Sequence, residues 1–301
     1  MNHFRKFCGK AKYLGLLGLP GILLPHKIWD FLWLFWLFGI IEIALNFSLF
    51  LQSLKQLWGM FIVPLYYGKN LPNKDNYCCQ VKYSLPFQGS WTAVNGSTDK
   101  EFSHSWEIPT QRYAYDFIIL DVNGKSYTGD LKNGESYFCY GKEIISPADG
   151  EVLETGTGCP DSIITGNGRP DCSASDIRGN YILIRHAKKE YSLLAHLKPD
   201  SILVKPGDLI RRGETIALCG NSGNSTEPHL HFQLQNGKSF YYSAGLPIEF
   251  ENITVSAAPY YSSFDPRPIP ESGTPSEKYI ARGQRLENKQ ILPELSPDDL
   301  L

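Results

Sequence analysis

Between about residues 100 and 250 the apolar positions fall in short runs separated by Gly, Pro, Asn and Asp. The runs are 113–121, 143–145, 150–154, 181–185, 190–196, 209–210, 215–218 and 229–235. Their length and β-branched content predict strands, and no long amphipathic helical period interrupts them. The expected fold is mainly β, an antiparallel sheet. The last run alternates most cleanly. Leu230, Phe232 and Leu234 share one face, and His229, His231, Gln233 and Gln235 share the other. One face is built for a core and the opposite face for chemistry.

The N-terminal fifth follows a different rule. Residues 31–51 are apolar apart from Glu42, Asn46 and Ser48. As a helix this stretch is about 31 Å long, the thickness of a bilayer's hydrocarbon core. Arg5, Lys6, Lys10 and Lys12 precede it. The positive-inside tendency therefore expects a cytoplasmic N-terminus and an extracytoplasmic remainder, with membrane lipid as a partner. The run is too long for the core of a cleaved signal peptide. Glu42 lies in mid-span, where a carboxyl needs a partner helix, a watery site or its proton. The flanking stretches 13–24 and 57–67 are shorter and read as interfacial helices. A second crossing by residues 53–67 is the alternative, and it would return the soluble part to the cytoplasm.

These patterns divide the chain into a basic segment (1–27), a transmembrane and interfacial segment (28–67), a polar linker (68–95) and a β domain (96–250). Residues 251–301, rich in Pro, Ser and acids, read as a mostly extended tail. Within the β domain, Ser146-Pro147-Ala148-Asp149-Gly150 rhymes with Lys205-Pro206-Gly207-Asp208-Leu209. Such turns are typical of barrel-sandwich hybrid domains. Lipoyl and biotinyl carriers share them but need a lysine at a hairpin tip, and neither of their tip signatures occurs here.

Composition narrows the reading. A net charge of −2 over 301 residues gives no electrostatic case for a nucleic-acid partner. Seven cysteines are too scattered for a Cys-x-x-Cys zinc site. Cys159 and Cys172 bracket a Gly/Asp/Ser-rich loop, where a disulfide and two free thiols are both open readings.

Candidate chemistry gathers around His229-Leu230-His231. Two imidazoles two residues apart on a strand sit with Cα atoms roughly 6.6 Å apart on one side. That suits a metal ligand beside a proton-transfer group, or two ligands. A Gly/Asn/Ser-rich loop ending in Pro228 leads into the strand, and His196 ends an earlier strand.

Together with Tyr191–Leu197, the segment Gly179–His186, Ser146–Gly150 and Cys219–Gly223, the His-x-His strand resembles the lysostaphin-like zinc endopeptidases. This is the peptidoglycan-cutting family numbered twenty-three among the metallopeptidases, and the resemblance covers roughly residues 110–240. It implies a Zn2+ cofactor, a peptidoglycan peptide as substrate and a set of roles. His231 matches a zinc ligand, as does Asp116 in Arg112-Tyr113-Ala114-Tyr115-Asp116. His196 and His229 match the two non-ligand histidines that handle water and stabilise the transition state. His186 reads as structural or supporting. Three protein ligands on zinc leave a position for water and bring its pKa to about 7.

One departure stands out. Four residues before Asp116, where the family has its first zinc histidine, this chain has Arg112. A guanidinium donates hydrogen bonds and cannot ligate a metal. Three resolutions remain open: His104 swings in as the third ligand, Gln111 lends an oxygen, or the site is lost. The last would make the chain a non-catalytic envelope domain that binds peptidoglycan or activates another hydrolase. Retention of Asp116, His196, His229 and His231 favours an active enzyme.

Overall fold

The structure, a computed structural model, describes residues 2–24, 26–166, 168–169, 174–270 and 278–289. The chain divides into two compact units, residues 1–55 and 56–301.

The first unit is helical. Helix α1 (Asn2–Ala11) leads into a 3-10 stretch, Lys12–Ile22, and then α2 (Lys27–Trp33) and α3 (Trp36–Leu45). Among the described residues one helical stretch is long and apolar enough to cross a membrane, Lys27–Leu45, 19 residues. The expected span of 31–51 is therefore displaced toward the N-terminus. Asn46 ends it: its side-chain Nδ2 donates to the Glu42 carbonyl at 2.8 Å and its backbone leaves helical geometry. Glu42 finds its partner within the chain, in the Lys12 ammonium at 2.6 Å. Helix α4 (Phe47–Tyr67) follows, and its part from Gln56 onward belongs to the second unit.

The second unit is a β domain. Its strands are β1 (Trp91–Asn95), β2 (Tyr115–Ile118), β3 (Glu143–Ile145), β4 (Gly150–Gly156), β5 (Asn180–Ala187) and β6 (Glu190–Leu197). The remainder are β7 (Leu209–Ile210), β8 (Thr215–Leu218), β9 (Leu230–Gln235), β10 (Gly245–Leu246), β11 (Ile253–Ala257) and β12 (Gln284–Asn288). A ten-stranded sheet runs β11-β12-β1-β2-β9-β6-β5-β4-β7, with β10 beside β9, and β3 and β8 form a separate pair. Every strand pair is antiparallel and the large sheet stays open.

Alternation decides which face each residue serves. Ile182, Ile184, Leu194, Leu230, Phe232 and Leu234 join the main core with Phe87, Trp91 and Phe117. Their neighbours Tyr181, Leu183, Leu193 and Ala195 join a smaller cluster on the other face with Phe240. The central strand β9 is buried along its whole length.

Two boundaries differ from the sequence reading. Residues 68–95 are more than a linker: Tyr83, Leu85, Phe87 and Trp91 are core residues and β1 is a sheet strand. Residues 251–289 are not an extended tail. Strands β11 and β12 pair with each other over five residues, and β12 pairs with β1. Their apolar content is low because these strands close one side of the sheet, where Ile253 and Leu286 are buried in the core and Val255 packs against it. Residues 290–301 lie outside the described residues, as does Cys172, and with it the Cys159–Cys172 pairing.

Candidate metal centre

Register places the site. On β9, His231 stands opposite Asp116 of β2 and Ala195 of β6. His196, one residue further along β6, adopts a left-handed backbone, φ 61°. That conformation is uncommon outside glycine and is held where surrounding structure imposes it. Here the His196 amide donates to the Arg178 carbonyl at 3.0 Å, and the ring Nδ1 donates to the Ser222 carbonyl at 2.7 Å. His229 precedes the strand, at the end of the loop that Pro228 closes.

The side chains converge on Asp116. Its Oδ1 lies 2.9 Å from His231 Nδ1 and 3.7 Å from His229 Nε2. Its Oδ2 accepts from Asn95 Nδ2 at 2.9 Å and lies 3.5 Å from His104 Nε2. The ring of His196 is centred 4.7 Å from that of His229 and 5.8 Å from that of His231. His104, Asp116 and His231 each offer a ligand atom, and the three atoms lie within 4.8 Å of one another. Two imidazoles and a carboxylate are a donor set suited to zinc, with room for a further ligand.

Arg112 turns away from this cluster. Its Nε donates to the Trp106 carbonyl at 3.1 Å and its guanidinium lies 5.0 Å over the Trp106 ring. The Ser103 hydroxyl donates to the Arg112 carbonyl at 2.8 Å. Arg112 thus braces the 103–113 loop, and that loop carries His104 to Asp116. Gln111 lines the same cavity but is not in the three-residue cluster.

Hydrogen bonds assign the ring protons. Gln235 Nε2 donates to the Gly237 carbonyl, so its Oε1 accepts from Gln233 Nε2. Gln233 Oε1 then accepts from His231 Nε2 at 3.0 Å. The ladder reserves His231 Nδ1 for Asp116 or for a metal. His229 Nδ1 donates to the Glu227 carbonyl at 2.8 Å, and His196 Nδ1 donates to Ser222. Both rings therefore keep an unprotonated Nε2 in their neutral form.

Burial and charge set the ionisation. Burial by itself raises the Asp116 carboxyl, yet His104, the His231 hydrogen bond and His229 hold it well below the usual carboxylate range. Burial by itself lowers His231, but the Asp116 hydrogen bond and charge outweigh it and push the ring up. Burial, with His229 and His231 alongside, holds His196 well below its ordinary value. His186 lies apart, with Nδ1 on the Asp149 carbonyl at 2.8 Å and Nε2 on the Ser192 hydroxyl at 2.7 Å. It is a structural residue of β5.

These groups line a cavity of about 390 Å3. Asn95, Asn224, Arg178 and Gln56 line it too, and sequence patterns did not point to them. Asn95 sits 21 residues before Asp116 on another strand, where no local spacing links the two.

Comparison with known proteins agrees with the sequence resemblance. Residues 131–241 match the model of peptidase family M23. The stretch contains His196, His229 and His231; His104 and Asp116 precede it. The chain is similar to the peptidoglycan DD-endopeptidase ShyB of Vibrio cholerae, 36% identical over 110 residues, covering 36% of this chain and 23% of ShyB. It is similar to ShyA of the same organism, 45% identical over 56 residues, 19% of this chain and 13% of ShyA. An uncharacterized metalloprotease of Haemophilus influenzae is 33% identical over 100 residues, 33% of this chain and 17% of that protein. The matched segments thus span less than a quarter of these relatives. Among solved structures, the M23 metalloprotease pseudoalterin aligns at 16% identity with a TM-score of 0.37, covering 68% of this chain and 96% of that one.

Proposed function

We propose, from the match of residues 131–241 to peptidase family M23, that this protein is a membrane-anchored zinc endopeptidase hydrolysing peptide bonds in peptidoglycan. The observation that carries the reading is the convergence of His104, Asp116 and His231, with His196 and His229 beside them. DD-endopeptidase relatives that act on peptidoglycan support the substrate. The apolar stretch Lys27–Leu45 supports the anchor, and the basic residues ahead of it support an extracytoplasmic peptidase domain.

In this reading His104, Asp116 and His231 hold zinc. Zinc so held supplies a Lewis acid and an acidified water. The chain's own groups do the rest. His229 Nε2 takes the proton of the attacking water, and Asp116, 3.7 Å away, stabilises the imidazolium that forms. His196 is neutral at rest and presents no proton at Nε2. It could steady an oxyanion only as the cation, and the proton it would need is the one His229 takes from the water, the two ring centres lying 4.7 Å apart. The Gln233–Gln235 ladder holds a proton on His231 Nε2 and fixes the ring's orientation, so that Nδ1, which faces Asp116, is the atom that would face zinc. The rival reading of a non-catalytic envelope domain drew on Arg112, and His104 supplies the group that Arg112 cannot.

Metal analysis beside muropeptide release tests this. Wild type is expected to hold one zinc, and His231→Ala to lose it together with roughly 10³-fold or more of the activity. A chain without stoichiometric zinc, whose muropeptide release equals that of His231→Ala, would sink the enzyme reading.

A further inference from the structure

Five buried side-chain oxygens or nitrogens among the described residues have no hydrogen-bond partner: Asn46 Oδ1, Gln56 Oε1, Asn95 Oδ1, Asn221 Oδ1 and Asn224 Oδ1. Three of them, on Gln56, Asn95 and Asn224, belong to residues lining the cavity that holds the histidine–aspartate cluster. Buried polar groups are almost always paired, because each unpaired one keeps its desolvation cost. Three in one cavity form a pattern that calls for a ligand.

The three come from unrelated parts of the chain. Asn95 ends β1, and its Nδ2 is committed to Asp116, which fixes its oxygen as the free group. Asn224 lies in the loop before His229, with its backbone amide donating to the Ile177 carbonyl. Gln56 comes from α4. The α4 segment that carries it is seated on the β domain: a Cβ at Gly59 would stand 2.0 Å from the Tyr241 carbonyl, and Val63 is buried. At its end the Tyr67 hydroxyl accepts from Asn236 Nδ2. Gln56 is therefore held at the cavity by packing.

We infer that Gln56, Asn95 and Asn224 form an acceptor wall that binds the peptide substrate through its backbone N–H groups, and that α4 completes the substrate cleft. The inference rests on the endopeptidase reading and adds how the substrate is held. Neutral amide oxygens match neutral N–H donors, and each oxygen, now buried in the cavity wall, turns into the cavity to accept one. An ammonium group fits less well, because Arg178 lines the same cavity and its own carboxylate, Asp176 at 2.7 Å, already occupies it. A few fixed polar groups in an otherwise apolar cavity set the orientation of a ligand.

The test uses the full chain and a synthetic cross-linked stem-peptide dimer, with calorimetric binding measured in a His229→Ala background and turnover measured without it. Gln56→Met and Asn224→Leu keep the volume and remove the acceptor. Each is expected to weaken dimer binding about tenfold and raise KM to match, with zinc content as in wild type. Dimers N-methylated at each amide in turn supply the decisive readout. At the matching amide the penalty of the variant disappears, which a merely structural role would not produce. Equal binding by wild type and both variants overturns the acceptor wall while leaving the endopeptidase reading intact. Faster turnover by Gln56→Met also overturns it, since that residue would then be an occluder. A wild type that binds the dimer without cleaving it fails the enzyme reading alone.

Discussion

The helical unit and the β domain use the same apolar residues in opposite ways. In the helical unit Ile22 is 71% exposed, Leu23 84%, Phe31 62% and Ile40 64%. In the β domain Phe87, Phe117 and Phe232 are fully buried. Exposed apolar surface on that scale marks a face suited to meet another apolar surface, which the membrane of the proposed anchor would supply. The difference also separates two kinds of stability. The β domain draws its own from removing apolar area from water, whereas the helical unit leaves many of its apolar side chains exposed and buries far less.

The largest effect should come from the core. Phe232→Ala is expected to destabilise the β domain by about 3–5 kcal/mol, read by denaturant unfolding of the full chain in detergent. Phe31→Ala should leave that transition in place. Equal losses from the two substitutions would erase the distinction.

A smaller effect concerns pH. Burial lowers His186 to about 4 despite its bond to the Asp149 carbonyl and the nearby Glu190. The fold therefore binds this ring neutral, while the unfolded chain protonates it near pH 6.5. Its contribution is complete above pH 6.5 and is lost as pH falls through the window from 6.5 to 4. For a half-buried ring this amounts to about 2 kcal/mol. His186→Gln should flatten the slope of β-domain stability across that window; an unchanged slope would exclude the ring as its source.

The smallest effect belongs to the helical unit. Lys12→Ala leaves Glu42 without its ammonium at 2.6 Å. The expected cost is about 1 kcal/mol, seen as faster amide exchange around Glu42 with β-domain exchange unaltered. Loss of protection in the β domain would show that the two units are not energetically separate.

Legibility differed between the same two regions. In β3, β7 and β8 the strand bounds read from apolar runs coincide with those of the fold, and in β5, β6 and β9 they differ by a residue or two. Strands β5, β6 and β9 lie in a dense apolar setting where period and burial agree. Strands β11 and β12 were invisible because Gln284, Arg285, Glu287 and Asn288 leave only Leu286 facing the core. An edge of that composition is held by pairing with β1, which no local pattern reveals. The break at Asn46 was equally hidden, since one amide bonding back to Glu42 outweighs an apolar run that continues past it.

For the candidate site, sequence by itself determined the alternating face of residues 229–235, the proximity of His229 to His231, and the absence of a usable ligand at Arg112. Those follow from strand period and side-chain chemistry, which act over a few residues. Tertiary structure alone decided that His104 stands beside Asp116, that Asn95 and Asn224 face the same cavity, and that α4 brings Gln56 to it. Those juxtapositions depend on sheet order and on the loop braced by Arg112 and Trp106. Both are set by packing between segments far apart in the chain, so neither leaves a mark in local spacing.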